Sequence, residues 1–72
     1  MSAALMMEIK LDEQTLQLPV GMTLAQLLER LQLAPASRAT ALNGQFVARE
    51  ARAATRLAPA DQVLLFKPIV GG

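Results

Sequence analysis

The sequence predicts an α+β domain in which one helix covers one face of a small mixed sheet, and three observations carry that prediction. Two stretches near the start alternate apolar and polar residues, a middle stretch repeats its leucines with helical period, and an apolar run near the end fits a central strand. The chain has 72 residues, room for one domain and one core. With 53% hydrophobic and 18% charged residues it is too apolar for disorder by composition.

From Met7 to Leu11, residues Met7, Ile9 and Leu11 fall on one face and Glu8 and Lys10 on the other, the pattern of a half-buried strand. Asp12-Glu13-Gln14 supplies a polar turn. Alternation then resumes with Leu16, Leu18 and Val20 on one face and Thr15 and Gln17 opposite, so the two strands form a hairpin. Pro19, which has no N–H to give to a ladder, assigns this second strand to a sheet edge.

Between Thr23 and Leu33 the period changes. Leu24, Leu27, Leu28 and Leu31 follow the i, i+3, i+4, i+7 spacing of a helix with one apolar stripe. Thr23 and Gln26 match the capping box, and Met22 and Leu27 occupy the positions of a hydrophobic staple. Pro35 biases Ala34 away from helical geometry and predicts the end of the helix there.

Thr40-Ala41-Leu42 and Gln45-Phe46-Val47 flank Asn43-Gly44, the dipeptide that most readily forms a tight type I′ hairpin. From Ala48 to Ala60 no period is visible. That segment reads as irregular with one helical turn, Leu57 as its apolar anchor and Arg49, Arg52 and Arg56 as solvated loop residues, with contact to an acidic partner as the functional alternative. The last strand runs from Gln62 to about Lys67 with Val63, Leu64, Leu65 and Phe66 directed to both faces. Pro68 ends regular pairing, and Ile69-Val70 lead into Gly71-Gly72. The whole is one domain, 1–72, with residues 1–6 read as an extension and 67–72 as a flexible tail.

Composition removes several classes of function. Seven basic and six acidic residues give a net charge of +1 with no basic stripe for a phosphate backbone, and Phe46 and Phe66 alone make no stacking platform. Nucleic acid is therefore not an expected partner. Cysteine and histidine are both absent, which takes away the thiolate nucleophile, the commonest general base and the commonest metal ligand. The acidic residues show no spacing for a metal site or an acid/base pair. The start lacks the basic region of an export signal, and no apolar run approaches the roughly 20 residues of a membrane helix. A cytoplasmic protein, monomeric when free, is expected.

The terminal Gly71-Gly72 is the sharpest chemical feature. At about 7% glycine usage two final glycines arise in only about 0.5% of chains, although a flexible end or a cloning remnant gives the same dipeptide. A C-terminal carboxyl ionises with a pKa of about 3.5 and is a poor electrophile as the anion. Adenylation supplies a leaving group, after which a sulfur nucleophile can leave a thiocarboxylate on Gly72. The segment from Lys67 to Gly72 spans about 20 Å when extended, and glycine, without Cβ, can thread a narrow channel. If Val63 and Leu65 pack under the helix, Leu64 and Phe66 face away as an apolar patch, unless a loop residue such as Leu57 covers them.

Taken together, the short first hairpin, Thr23-Leu24-Ala25-Gln26-Leu27-Leu28, Ala41-Leu42-Asn43-Gly44 followed by Val47 and Arg49, Asp61 before the last strand, and the terminal Gly71-Gly72 resemble the ThiS family. This is a group of ubiquitin-like β-grasp sulfur carriers of thiamin-thiazole biosynthesis. The resemblance covers nearly the whole chain from Met7 onward. It implies a five-stranded mixed sheet on one main helix, and a co-substrate with no enzyme activity and no bound cofactor. It also implies a ThiF-like, ubiquitin-activating-enzyme-like adenylyltransferase that uses ATP on Gly72, a sulfur source fed by a cysteine desulfurase, and a ThiG-like thiazole synthase that consumes the thiocarboxylate. Gly71 would thread the partner channel, and Leu64, Phe66, Ile69 and Val70 would form a partner-binding surface.

Three departures from the family pattern stand out. Ala60 precedes Asp61 where members often carry glycine, and Ala48 and Ala51-Arg52 stand where a proline and an aromatic residue commonly flank Arg49. Two other readings share the fold. One is a carrier of the MoaD type, the small subunit of molybdopterin synthase, whose tail is similar to Phe66-Lys67-Pro68-Ile69-Val70-Gly71-Gly72. The other is a non-catalytic β-grasp interaction module.

Overall fold

The first period-two stretch forms β1 (Met6–Leu11), and the second forms β2 (Gln14–Pro19), paired antiparallel from Met6 opposite Pro19 to Leu11 opposite Gln14. These and all other structural facts come from a computed structural model that describes residues 5–67. Residues 1–4 and 68–72 lie outside the described residues, and with them Pro68, Ile69, Val70, Gly71 and Gly72.

Three details of the hairpin differ from the sequence expectation. Met6 opens β1 and so belongs to the sheet, and just before it the Leu5 carbonyl accepts from the Val20 N–H at 2.8 Å. The turn is two residues long, with Asp12 at φ 52, and Gln14 already belongs to β2. Val20 does not continue the inward face. It is 54% exposed, in a turn closed by the Met22 N–H on the Pro19 carbonyl (3.3 Å), with Gly21 at φ 94 supplying the left-handed backbone.

The helix α1 (Leu24–Arg30) starts as expected. Thr23 Oγ1 accepts from the Gln26 N–H at 3.2 Å, and Gln26 Oε1 accepts from the Thr23 N–H at 2.9 Å, completing the capping box. Leu24, Leu27 and Leu28 are buried and Leu31 packs partly against the core. Burying each such side chain contributes about 1.5 to 3 kcal/mol. The end comes earlier than Pro35 implies. Gln32 adopts φ 59, its N–H bonds the Glu29 carbonyl (2.9 Å), and the Leu33 N–H reaches back to the Leu28 carbonyl (3.0 Å). This is a Schellman cap with glutamine in the left-handed position, so the helix is closed before the proline is reached.

Two short 3₁₀ segments follow, Pro35–Ser37 and Arg49–Ala54, the second filling much of the stretch read as irregular. Between them β3 (Ala39–Leu42) and β4 (Gln45–Val47) pair through Asn43 at φ 51 and Gly44 at φ 86, the two positive angles of a type I′ turn. The Ala58 carbonyl accepts from the Asp61 N–H (3.1 Å) across Pro59 and Ala60, and Ala60 holds φ 70. The turn thus keeps the shape that glycine would favour, with an alanine in it.

The final strand, β5 (Gln62–Phe66), runs parallel to β1 and antiparallel to β3, giving the order β2-β1-β5-β3-β4. This five-stranded mixed sheet carrying one main helix is the β-grasp fold, with β2, the Pro19 strand, at one edge. Met7, Ile9, Leu11, Leu18, Leu24, Leu27, Leu57 and Val63 form the core between helix and sheet.

Arg52 corrects the reading of a solvated loop. It is 4% exposed, and its guanidinium donates to Thr40 Oγ1 (3.2 Å), the Pro35 carbonyl (2.7 Å) and the Arg38 carbonyl (2.6 Å). Two of these acceptors are backbone carbonyls and the third is a side-chain hydroxyl on β3, so the guanidinium ties the first 3₁₀ segment to β3. Burial first, then the Arg49 charge, lowers its pKa, and Glu50 works in the opposite sense.

Candidate functional site

The side chains of β5 alternate across the sheet. Val63 is fully buried and Leu65 packs on the core, which turns Leu64 and Phe66 to the face away from the helix. Leu64 is half-buried there and Phe66 is 44% exposed. Leu57 is buried in the core on the helix side and so does not cover them.

The strand register extends this patch by residues on β3 and β4. Ala41 lies opposite Leu64, Phe46 lies opposite Ala41, and Ala39 lies opposite Phe66. Directly opposite residues bring their Cβ atoms to within about 5 Å. Two alanines therefore form a low floor between the side chains of Phe46, 68% exposed, and those of Leu64 and Phe66. Composition and period do not single out Phe46. The signal for it is the Asn43-Gly44 turn, because a two-residue hairpin loop fixes the register, and with Leu42 inward the residue opposite Ala41 must point outward.

The other half of this face is polar. Glu8 and Lys10 on β1 sit opposite Gln17 and Thr15 on β2, and Gln17 Nε2 donates to Glu8 Oε1 at 3.2 Å. The outer surface is thus apolar on β4-β3-β5 and hydrophilic on β1-β2 except at the end where Met6 lies opposite Pro19.

β5, which leads to the tail, is held at both ends by side chains. At its start Asn43 Oδ1 accepts from the Gln62 N–H (2.9 Å) and Asn43 Nδ2 donates to Asp61 Oδ1 (3.0 Å), while Asp61 Oδ2 accepts from the Ala58 N–H (2.7 Å). At its far end Asp12 Oδ1 accepts from the Leu65 N–H at 3.2 Å. Arg49 and Arg56 are exposed, but with Arg52 withdrawn the three arginines do not make one cationic surface. Among the described residues no group of three or more carboxylates could hold a metal, and no helix is long and apolar enough to cross a membrane. Gly71, Gly72, Ile69 and Val70 lie outside the described residues, so of the predicted site residues the structure describes Leu64 and Phe66.

Residues 3–72 match the ThiS family. The chain belongs to that family. It is 41% identical over 66 residues to the sulfur carrier protein ThiS of Escherichia coli strain K12, an alignment that covers 92% of this chain and all of that relative. The crystal structure of a thiamine biosynthesis protein, ThiS, from Geobacter metallireducens superposes with a TM-score of 0.79 at 26% identity, covering 92% of this chain and 100% of that one. The solution structure of a thiamine biosynthesis protein from the same organism gives 0.71 at 28% identity, covering 92% of this chain and 88% of that one.

Proposed function

We propose that this chain is a cytoplasmic sulfur carrier that supplies the thiazole ring of thiamin, with the carboxylate of Gly72 as the point of attachment and Gly71 as the slender residue that lets the tail enter its partners. The observation that carries this reading is the similarity to a sulfur carrier protein over that relative's entire length.

The chemistry follows from the inertness of a carboxylate. In a ThiF-like adenylyltransferase the Gly72 carboxylate attacks the α-phosphorus of ATP and pyrophosphate leaves, giving a mixed anhydride. A persulfide on a source fed by a cysteine desulfurase then attacks the acyl carbon and AMP departs, leaving an acyl disulfide whose S–S bond a thiol cleaves, so that the thiol is oxidised to a disulfide and the thiocarboxylate is released. The thiocarboxylate that results delivers its sulfur in a ThiG-like thiazole synthase. The carrier's own contribution is presentation, since it has neither cysteine nor histidine to do catalysis and ATP is the partner's substrate. Leu64, Phe66 and Phe46 supply an apolar docking surface on the outer face of the strand that leads to the tail.

The test is the mass of the C-terminal tryptic peptide from cells making thiamin. Cleavage after Arg56 releases Leu57 to Gly72, because Lys67 precedes Pro68, and this peptide has no methionine whose oxidation would mimic the exchange of oxygen for sulfur. The sulfur form is expected when the adenylating enzyme and sulfur source are active, and its absence there overturns the proposal. Deletion of Gly72 should produce thiazole auxotrophy; loss of molybdenum cofactor instead would assign the carrier to molybdopterin synthase.

A further inference from the structure

Asparagine followed by glycine is the pairing most open to intramolecular loss of ammonia. The Gly44 nitrogen, with no side chain beside it, can attack Cγ of Asn43. The N–Cγ bond forms, the Cγ–Nδ2 bond breaks, and the nitrogen's proton leaves with the ammonia. Water then opens the five-membered imide at either carbonyl, giving aspartate or, with the main chain rerouted through the side chain, isoaspartate. No other reagent is needed. Asn43 and Gly44 are both exposed, and a Cβ placed on Gly44 would meet no atom beyond its chain neighbours within 4 Å, so the turn is open to water.

The fold holds both polar atoms of this amide. Oδ1 accepts from the Gln62 N–H (2.9 Å) and Nδ2 donates to Asp61 Oδ1 (3.0 Å), while Asp61 is itself fixed by the Ala58 N–H (2.7 Å). The backbone N–H of Asn43 is also engaged, on the Gln62 carbonyl at 2.8 Å. Attack on Cγ comes perpendicular to the amide plane and makes that carbon tetrahedral, so neither side-chain bond keeps its geometry through ring closure.

We propose that Asn43 is a guarded deamidation site: Asp61 and the Gln62 N–H suppress loss of the amide, and a latch that has lost it cannot close again. An aspartate at this position has no donor for Asp61 Oδ1, and two carboxylate oxygens meet where a 3.0 Å hydrogen bond stood. Isoaspartate adds a carbon to the main chain of a two-residue turn, whose length sets the register of β3 against β4 and with it the outward direction of Phe46. Each opening of the latch thus exposes the junction of β3, β4 and β5 to an irreversible change. None of this depends on what the protein carries.

The test follows the tryptic peptide Ala39–Arg49, released by cleavage after Arg38 and Arg49, from the full chain held at neutral pH. Fragmentation places the change from amide to acid at Asn43 and not at Gln45, and the free peptide of the same sequence gives the unguarded rate. The folded chain should deamidate at least about tenfold more slowly than the peptide, and Asp61→Ala should restore about tenfold. Thr23→Ala, which weakens the fold at the helix cap, should keep the wild-type rate. Equal rates in the folded chain and the free peptide, no acceleration in Asp61→Ala, or equal acceleration in Thr23→Ala each overturn the proposal. Asn43→Asp should melt roughly 5 °C or more below Asn43→Gly, and adding Asp61→Asn, which exchanges donor and acceptor, should recover most of that loss. Asn43→Asp as stable as Asn43→Gly, or a double variant no better than Asn43→Asp alone, overturns the one-way step.

Discussion

Asn43 and Asp61, 18 residues apart, are joined by a 3.0 Å hydrogen bond that couples the tight turn of the β3-β4 hairpin to the turn that starts β5. Asp61 also caps the Ala58 N–H, and Asn43 caps the Gln62 N–H. Both residues belong to the motif by which the sequence resembles its family, and both lie at the start of the strand that leads to the tail. They position the strand that carries it.

Removal of that link is expected to destabilise the fold without altering the outer face. Asp61→Ala should cost about 1 to 2 kcal/mol, seen as a fall in Tm of roughly 5 to 15 °C for a domain of this size. Asn43→Gly preserves the turn conformation and should cost less. A double-mutant cycle over the pair should return a coupling of about 0.5 to 1 kcal/mol, and strict additivity would show that the bond is without energetic weight.

Two non-glycine residues in left-handed conformation mark places where the chain is less stable than its fold allows. Ala60→Gly, at φ 70, and Gln32→Gly, at φ 59 in the Schellman cap, should each raise stability by roughly 0.5 to 1 kcal/mol, the relief of steric cost exceeding the added freedom of the unfolded chain. Urea unfolding should record a higher midpoint with an unchanged slope, and a lower midpoint would contradict the strain argument.

Arg52 predicts the opposite sign. Arg52→Ala withdraws three donated bonds and leaves the Pro35 and Arg38 carbonyls without them, so a loss of about 3 kcal/mol is expected. Thermal melting should show it, together with faster amide exchange in Ala39–Leu42. Arg52→Lys should recover little, because an ammonium cannot present donors in the guanidinium's planar fork.

Phe46 separates docking from folding. It is 68% exposed, so Phe46→Ser should leave Tm within about 2 °C. If the apolar half of the outer face is the docking surface, KM in adenylation should rise about tenfold, as for loss of a central aromatic anchor. An unchanged KM would remove Phe46 from that surface.

What the sequence made legible was local or periodic. The leucine stripe, the Thr23–Gln26 box, the Asn43-Gly44 turn and the alternation in β1 and β5 each depend on residues within a few positions of one another, and each appears in the structure. The helix terminus was misplaced because Pro35 is a conspicuous stop signal, whereas a glutamine in left-handed conformation has no signature. The roles of Arg52 and Asp12 have no signature in the sequence for a common reason: apart from the Arg52–Thr40 bond their partners are backbone groups distant along the chain, 53 positions away for Asp12 and Leu65, and a residue's type says nothing about what its carbonyl or N–H meets. The lower tail, Gly71-Gly72, rests on chemistry argued from the sequence.

Alternate residues of β5 answer to different constraints. Val63 and Leu65 face the helix and are fixed by packing, whereas half-buried Leu64 and exposed Phe66 project from the opposite side, where the core does not dictate the side chain. A lineage could therefore exchange the outward set to match a drifting partner, or to insulate two carriers in one cell from each other's enzymes, while the inward set stays unchanged. Partner choice in such a domain can be re-engineered on one side of a sheet with the core left alone.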